Sequence, residues 1–159
     1  MLRTGKEMYA FFDRILSPHG LVRYKDTWYQ DTGECIVFFC VAKSRGAGRY
    51  GDQMGCFLKR IMAEKREYPP YYQANIRHAL NDVVDSQLVD RVFDLKNGEF
   101  KNEEREYLMK EFVELYVLPF LKDVSSGDEI RKAMEKYSGL TYSTDLALKS
   151  ALGIPLPKE

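Results

Sequence analysis

The chain has 159 residues, and its 24 Lys and Arg balance 24 Asp and Glu, so it carries no net charge at neutral pH. That balance argues against a nucleic-acid binder driven by bulk electrostatics, and equally against a strongly acidic nucleic-acid mimic, while leaving room for a local basic patch. With 45% apolar and 13% aromatic residues there is enough chain for one sizeable core, and residues 1–159 are read as a single domain.

In chain order, Thr4-Gly5-Lys6-Glu7 is a capping box. Behind it Met8, Phe11, Phe12 and Ile15 fall on one helical face, and Ser17-Pro18-His19-Gly20 stops that helix. Leu21-Val22-Arg23-Tyr24 reads as a short strand, Lys25-Asp26-Thr27 as a turn, and Trp28-Tyr29-Gln30 as a second strand. The turn Asp31-Thr32-Gly33-Glu34 then feeds the run Cys35-Ile36-Val37-Phe38-Phe39-Cys40-Val41-Ala42. A β-branched and aromatic run closed by turn residues at both ends predicts a buried strand, and three strands with tight turns predict an antiparallel meander.

Residues 50–61 fit two periods. Tyr50, Met54, Phe57, Leu58 and Ile61 suit a helix, whereas Tyr50, Met54, Cys56 and Leu58 suit a strand. Gly51 and Gly55 weaken the helix, so the strand is preferred, with a bulge expected at a glycine. Residues 65–70 read as a loop, and residues 72–80 and 88–95 as two further strands. Residues 103–121 read as a helix with a broad apolar arc, which Pro119 is expected to kink or end. Ser126-Gly127-Asp128-Glu129 is a second capping box, before Ile130, Met134 and Tyr137 on one side of a helix. A last short helix spans 144–152, with Gly153 at its end and Pro155 beyond. The fold expected is α+β: a mostly antiparallel sheet, a meander of five to six strands, with an N-terminal helix and two to three C-terminal helices packed on it.

Cys35, Cys40 and Cys56 are odd in number and form no C-x-x-C pair. They are expected to be reduced core residues of a cytoplasmic protein, not a disulfide framework. The start has no apolar stretch of signal-peptide type, and no run approaches the roughly 20 apolar residues of a membrane span.

Several of these stretches together resemble a bacterial family known as domain of unknown function 4304. The resemblance rests on Leu16-Ser17-Pro18-His19-Gly20-Leu21, Trp28-Tyr29, Ala42-Lys43-Ser44-Arg45, Gly55 and Val117-Leu118-Pro119-Phe120-Leu121, in that order, up to about Ser126. It implies an α+β domain with a mostly antiparallel sheet packed by helices, and it supports the strand after Tyr50. It implies no established activity, cofactor or catalytic residue.

Gly46-Ala47-Gly48-Arg49-Tyr50-Gly51 fits G-x-G-x-x-G after a strand. A dinucleotide cradle would need a helix immediately afterwards, and a glycine-rich connection between antiparallel strands is the preferred reading. Lys43, Arg45 and Arg49 surround the glycines and could hold a phosphate or an acidic partner surface; a solvated loop is the plainer account. His19 and His78 lack metal-site spacing, and Asp82, Asp85, Asp90 and Asp94 read as turn formers. Trp28, Tyr29, Tyr24 and the segment Tyr68-Pro69-Pro70-Tyr71-Tyr72 supply rigid aromatics of the kind that anchor interfaces, with Trp28 and Tyr29 covering the two faces of a hairpin as the plainer account of that pair.

The function expected is a non-catalytic binding domain acting through a protein–protein surface, with an immunity- or antitoxin-like partner role by analogy. Lys43, Arg45, Arg49, Tyr71, Tyr72 and Trp28 are its candidate contacts. No catalytic residue, metal or cofactor is assigned, and no membrane association is expected. The alternatives are a nucleotide- or phosphate-binding enzyme domain using the Gly46–Gly51 loop, and a weak single-stranded nucleic-acid binder using Trp28, Tyr24 and the basic loop.

Overall fold

The computed structural model describes residues 2–44 and 48–156. Its five strands are β1 (Val22–Tyr24), β2 (Thr27–Asp31), β3 (Cys35–Lys43), β4 (Tyr50–Leu58) and β5 (Ile76–His78). They stand in chain order in one sheet, every neighbour antiparallel, with the apolar run as the central rung. The β3–β4 register runs without a break from Cys35 opposite Leu58 to Lys43 opposite Tyr50. The strand reading of 50–58 therefore holds, and the expected bulge does not form. Lys59–Ile61 closes the segment as a 3-10 helical turn.

Helix α1 (Gly5–Leu16) starts as its sequence dictates: the Thr4 hydroxyl accepts the Glu7 N–H at 3.2 Å. It buries Met8, Phe11, Phe12 and Leu16. Alternation along β3 then divides the core. Cys35, Val37, Phe39 and Val41 join α1 and the C-terminal helices in the main core, and Ile36, Phe38 and Cys40 point to the opposite face. A strand that is apolar at every position is thus one whose two faces are both covered.

The structure corrects three expectations beyond β4. Residues 72–80 are not one strand. Only Ile76–His78 pairs with β4, flanked by 3-10 turns at Tyr71–Gln73 and Leu80–Asp82. Side chains take over the ladder at both ends: Asn75 Oδ1 accepts the Leu58 N–H at 2.8 Å, and Asp52 Oδ2 accepts the Leu80 N–H at 2.7 Å. Residues 88–95 are not a strand either but lie in helix α2 (Ser86–Val92) and the turn after it. The Asp85 carboxylate caps it by accepting the N–H groups of Gln87 and Leu88, and that local cap outweighs the β-branched residues that suggest a strand.

Nor does Pro119 end the long helix. Helix α3 (Asn102–Phe112) passes through a π turn at Val113–Val117 into α4 (Leu118–Asp123). In the wider turn Leu118 N–H reaches back to Val113 O, and this shift of register accommodates the proline that follows. Helix α5 (Gly127–Lys136) opens on Ser126, whose hydroxyl accepts the Glu129 N–H. Helix α6 (Leu146–Leu152) ends at Gly153, in the left-handed region at φ 67°. Among the described residues no helix is long and apolar enough to cross a membrane.

Candidate functional site

The helices all share one face of the sheet's main core, and the opposite face has a different cover. Tyr29, Ile36, Phe38, Cys40 and Phe57 form a second, smaller core there with Met62, Tyr68, Tyr71 and Ala74 of the β4–β5 connection. This connection lies on the sheet as a strap. Tyr68 stacks parallel on Tyr24 with ring centroids 5.0 Å apart and tilts against Tyr29 at 5.4 Å. The buried Tyr29 hydroxyl donates to Pro69 O at 2.7 Å, and burial pushes its pKa up to about 12. The Tyr-Pro-rich segment is aromatic because it roofs an otherwise bare β face.

Beside the strap is a cleft of about 650 Å³. Val22, Tyr29 and Ile36 line its sheet side, and Met62 and Tyr68 its strap side. Its rim carries both signs of charge: Asp31, Glu34 and Glu67 with Lys59, Arg60, Lys65 and Arg66. Lys59 Nζ lies 2.8 Å from Asp31, and this contact, with the Gly33 N–H, holds the Asp31 carboxyl below its ordinary range. Arg60 donates to Ala151 O at 2.8 Å and tethers the rim to α6. Val22 in the cleft's lining is 55% exposed, and Tyr24, stacked on the lining residue Tyr68, is 46% exposed. A second cavity of about 400 Å³ lies on the strap's other flank, against Phe57 and Asn75.

The residues singled out from sequence fall in three places. Trp28 is fully buried on the helix face, its indole N–H donating to Asp13 at 2.9 Å and its ring packed on Phe12. Strand alternation sends it under α1 while Tyr29 faces the strap, so it is a core residue and offers no surface to a partner. Lys43 and Arg49 are exposed at the β3–β4 hairpin, where Arg49 Nε sits 3.7 Å from Asp94. Arg45 and the first two residues of the glycine motif, Gly46 and Ala47, lie outside the described residues. From Arg49 the chain runs straight into β4, so the helix N-terminus that a dinucleotide cradle requires is not there. The cavity beside Arg49 sets Asp90 and Asp94 against Arg49 and Arg91, a balanced lining that does not favour a phosphate. Tyr71 is half-buried in the strap's packing, and Tyr72 beside it is exposed. Tyr24 and Tyr68 belong to the interface-type aromatics that the sequence singles out, whereas Val22 and Lys65 are not among the contacts it suggests; for these the usable signal is the doubly apolar β3, which demands a second cover.

The remaining titratable groups are accounted for locally. Burial pushes the Cys40 thiol up to about 12 and Cys56 well above its ordinary value, so both stay protonated. His19 is exposed in the turn after α1. His78 is buried against Phe120 with ring centroids 5.0 Å apart, and its Nδ1 lies 3.3 Å from Asp82 at an angle that makes no hydrogen bond. Burial lowers the His78 pKa against the opposing pull of Asp82, which keeps the ring neutral. Asp82 accepts the Ala79 N–H, and Asp85 caps α2.

Asp52 carries a pH signature. It is buried, and burial raises its pKa from 3.8 to about 6 against the pull of the Leu80 N–H. Between those values the folded chain binds a proton that the unfolded chain has released, so stability falls as pH rises through the window. Above it the full cost of the buried charge is present. Asp52→Asn keeps an acceptor for Leu80 and removes the charge. It is expected to gain about 2 kcal/mol at pH 7.5 and nearly nothing at pH 4 in urea unfolding. His78 contributes with the opposite sign, its stabilisation being lost as pH falls below its ordinary value, and it is common to both proteins. A variant less stable than the parent at pH 7.5 would show that the charged hydrogen bond outweighs burial.

No curated protein and no solved structure matches the chain. A family model described as a domain of unknown function, DUF4304, matches residues 12–123, from within α1 through the sheet and the strap to the end of α4. The chain, most of which this match covers, belongs to the DUF4304 family.

Proposed function

We propose that this domain is a non-catalytic binding module that holds a polypeptide segment of a protein partner in the cleft beside the strap. The observation that carries the reading is the cleft itself: exposed Val22, with exposed Tyr24 stacked on the lining residue Tyr68, borders about 650 Å³ of partly apolar space rimmed by charges of both signs. A polypeptide supplies an apolar side chain for the floor and charges of either sign for the rim. A nucleic-acid strand is less well served, because Asp31, Glu34 and Glu67 face the phosphates it would bring. The stacked Tyr24–Tyr68 pair offers a rigid aromatic anchor at low entropic cost. Three buried free cysteines support a reducing compartment, the cytoplasm. A small domain of this kind could hold a toxin-like protein as an immunity protein does; that role is an analogy of scale and composition.

The test is quantitative enrichment of co-purifying protein from source cells. Wild type and Arg49→Glu, altered at the hairpin, are expected to retain one protein in fixed ratio. The double variant Tyr24→Ala with Lys65→Glu is expected to lose it by about tenfold or more, equivalent to about 1.4 kcal/mol. Equal retention by the cleft variant, or loss with Arg49→Glu alone, would refute the assignment. So would retention on single-stranded oligonucleotide that falls steeply with salt.

A further inference from the structure

The strap is fastened firmly at its two ends and weakly between them. At one end Lys59 N–H donates to Glu34 O at 3.0 Å, and Arg60 is tied to Ala151 O. At the other, Asn75 N–H donates to Cys56 O at 3.0 Å, and the Asn75 side chain bonds Leu58 N–H and the Asp145 carboxylate. Between them, the strap's backbone bonds are local: Gln73 N–H to Pro70 O and Ala74 N–H to Tyr71 O. Among the described residues its hydrogen bond to the sheet is the one from Tyr29 to Pro69 O. The rest of its hold is ring packing by Tyr68 and burial of Met62 and Tyr71. Cavities of about 650 and 400 Å³ flank it, and Met62 and Arg66 line both. The strap is therefore a partition between two spaces over one apolar floor.

We propose that residues 62–73 swing away from the sheet as a unit, with the sheet and helices intact, and so join the two cavities into one slot over Tyr29, Ile36 and Phe57. Segments with few sheet hydrogen bonds and little packing on either flank open at lower free energy than the core they cover. The opening belongs to the free protein and needs no partner, so it stands or falls apart from the reading of the cleft. If both hold, opening sets the size of segment the cleft admits.

The protein carries its own reporters. Cys40 is buried on the strap's side of β3, in one cluster with Tyr71, whereas Cys35 and Cys56 are buried in the main core on the helix side. The experiment labels the native protein with N-ethylmaleimide and follows each cysteine by peptide mapping. Cys40 is expected to react about tenfold or more faster than Cys35 and Cys56. Tyr29→Phe, which removes the bond to Pro69 O, is expected to raise the Cys40 rate severalfold and leave the other two unchanged. Amide exchange over 63–69 should rise with it while β3 stays protected. A single rate for all three thiols, or equal acceleration of all three by Tyr29→Phe, would overturn the proposal, because the strap would then open only when the whole protein unfolds.

Discussion

Replacing Gly55 with alanine is expected to cost about 4 kcal/mol or more and to detach β5 from the sheet. Gly55 sits in the middle of β4, opposite Phe38 on one side and Arg77 on the other. A Cβ placed there would lie 1.8 Å from Ile76 O, 2.8 Å from Ile76 C and 3.2 Å from Phe38 Cε1. The first two are backbone atoms of β5. That backbone is held by its ladder to Met54 and Cys56 and by a bridge from Ile76 to Thr144 on its outer side. It cannot yield by the required distance without breaking pairs. Gly51 on the same strand has nothing within 4 Å of the position a methyl group would take, so Gly51→Ala is the matched control, expected within about 0.5 kcal/mol of wild type. Urea unfolding of the two variants checks the contrast. A Gly55→Ala protein within about 1 kcal/mol of wild type would mean that β5 is held more loosely than described.

The second large effect belongs to Arg105, a charged residue of α3 only 3% exposed. Its guanidinium donates to four backbone carbonyls: Arg91 O at 3.2 Å, Val92 O, Asp94 O at 2.9 Å and Asn97 O at 2.6 Å. These lie at the C-terminus of α2 and in the turn after it, where carbonyls lack helical partners and the helix dipole favours a cation. The ring of Phe100 lies 5.5 Å from the guanidinium carbon. Burial lowers the Arg105 pKa with Asp94 opposing, yet an arginine so placed keeps its proton. Arg105→Met keeps the apolar stem and removes the guanidinium from those carbonyls, of which Asp94 O keeps the Asn97 N–H, and is expected to cost about 3–4 kcal/mol. Arg105→Lys keeps the charge but not the planar fork, and is expected to cost about 2 kcal/mol. Amide exchange should show the loss concentrated in α2. A methionine variant with α2 as protected as in wild type would refute the clamp.

Arg105 also shows where the sequence stops being legible. In a helix with an apolar stripe, an arginine is ordinarily read as solvent-facing, and nothing in its spacing announces a carbonyl cage 8–14 residues upstream. Local signals are readable: the capping boxes at Thr4 and Ser126, the tight turns of the meander, and the continuous apolar β3. Each depends on neighbours within a few residues. Misreadings arise where one local cue competes with another. Val89 and Val92 suggest a strand, and the Asp85 cap, which reads as a turn former, decides for a helix. Pro119 suggests a break, and a π turn upstream removes it. Trp28 and Tyr29 look alike as interface aromatics, although alternation places them on opposite faces. The cleft is least legible, since it exists only where residues 20–36 meet 59–68 across the sheet.

The most direct test of the cleft as the binding surface is site-specific photo-crosslinking in source cells, with a benzophenone side chain introduced separately at Tyr24, Lys65, Tyr107 and Tyr142. Lys65 lines the cleft and Tyr24 stacks on its lining residue Tyr68, whereas Tyr107 on α3 and Tyr142 beside the edge strand β5, 62% and 75% exposed, are not part of its lining. One protein crosslinked from positions 24 and 65, and from neither of the others, is the predicted result. Crosslinks from 107 or 142 with the two cleft positions silent would contradict it.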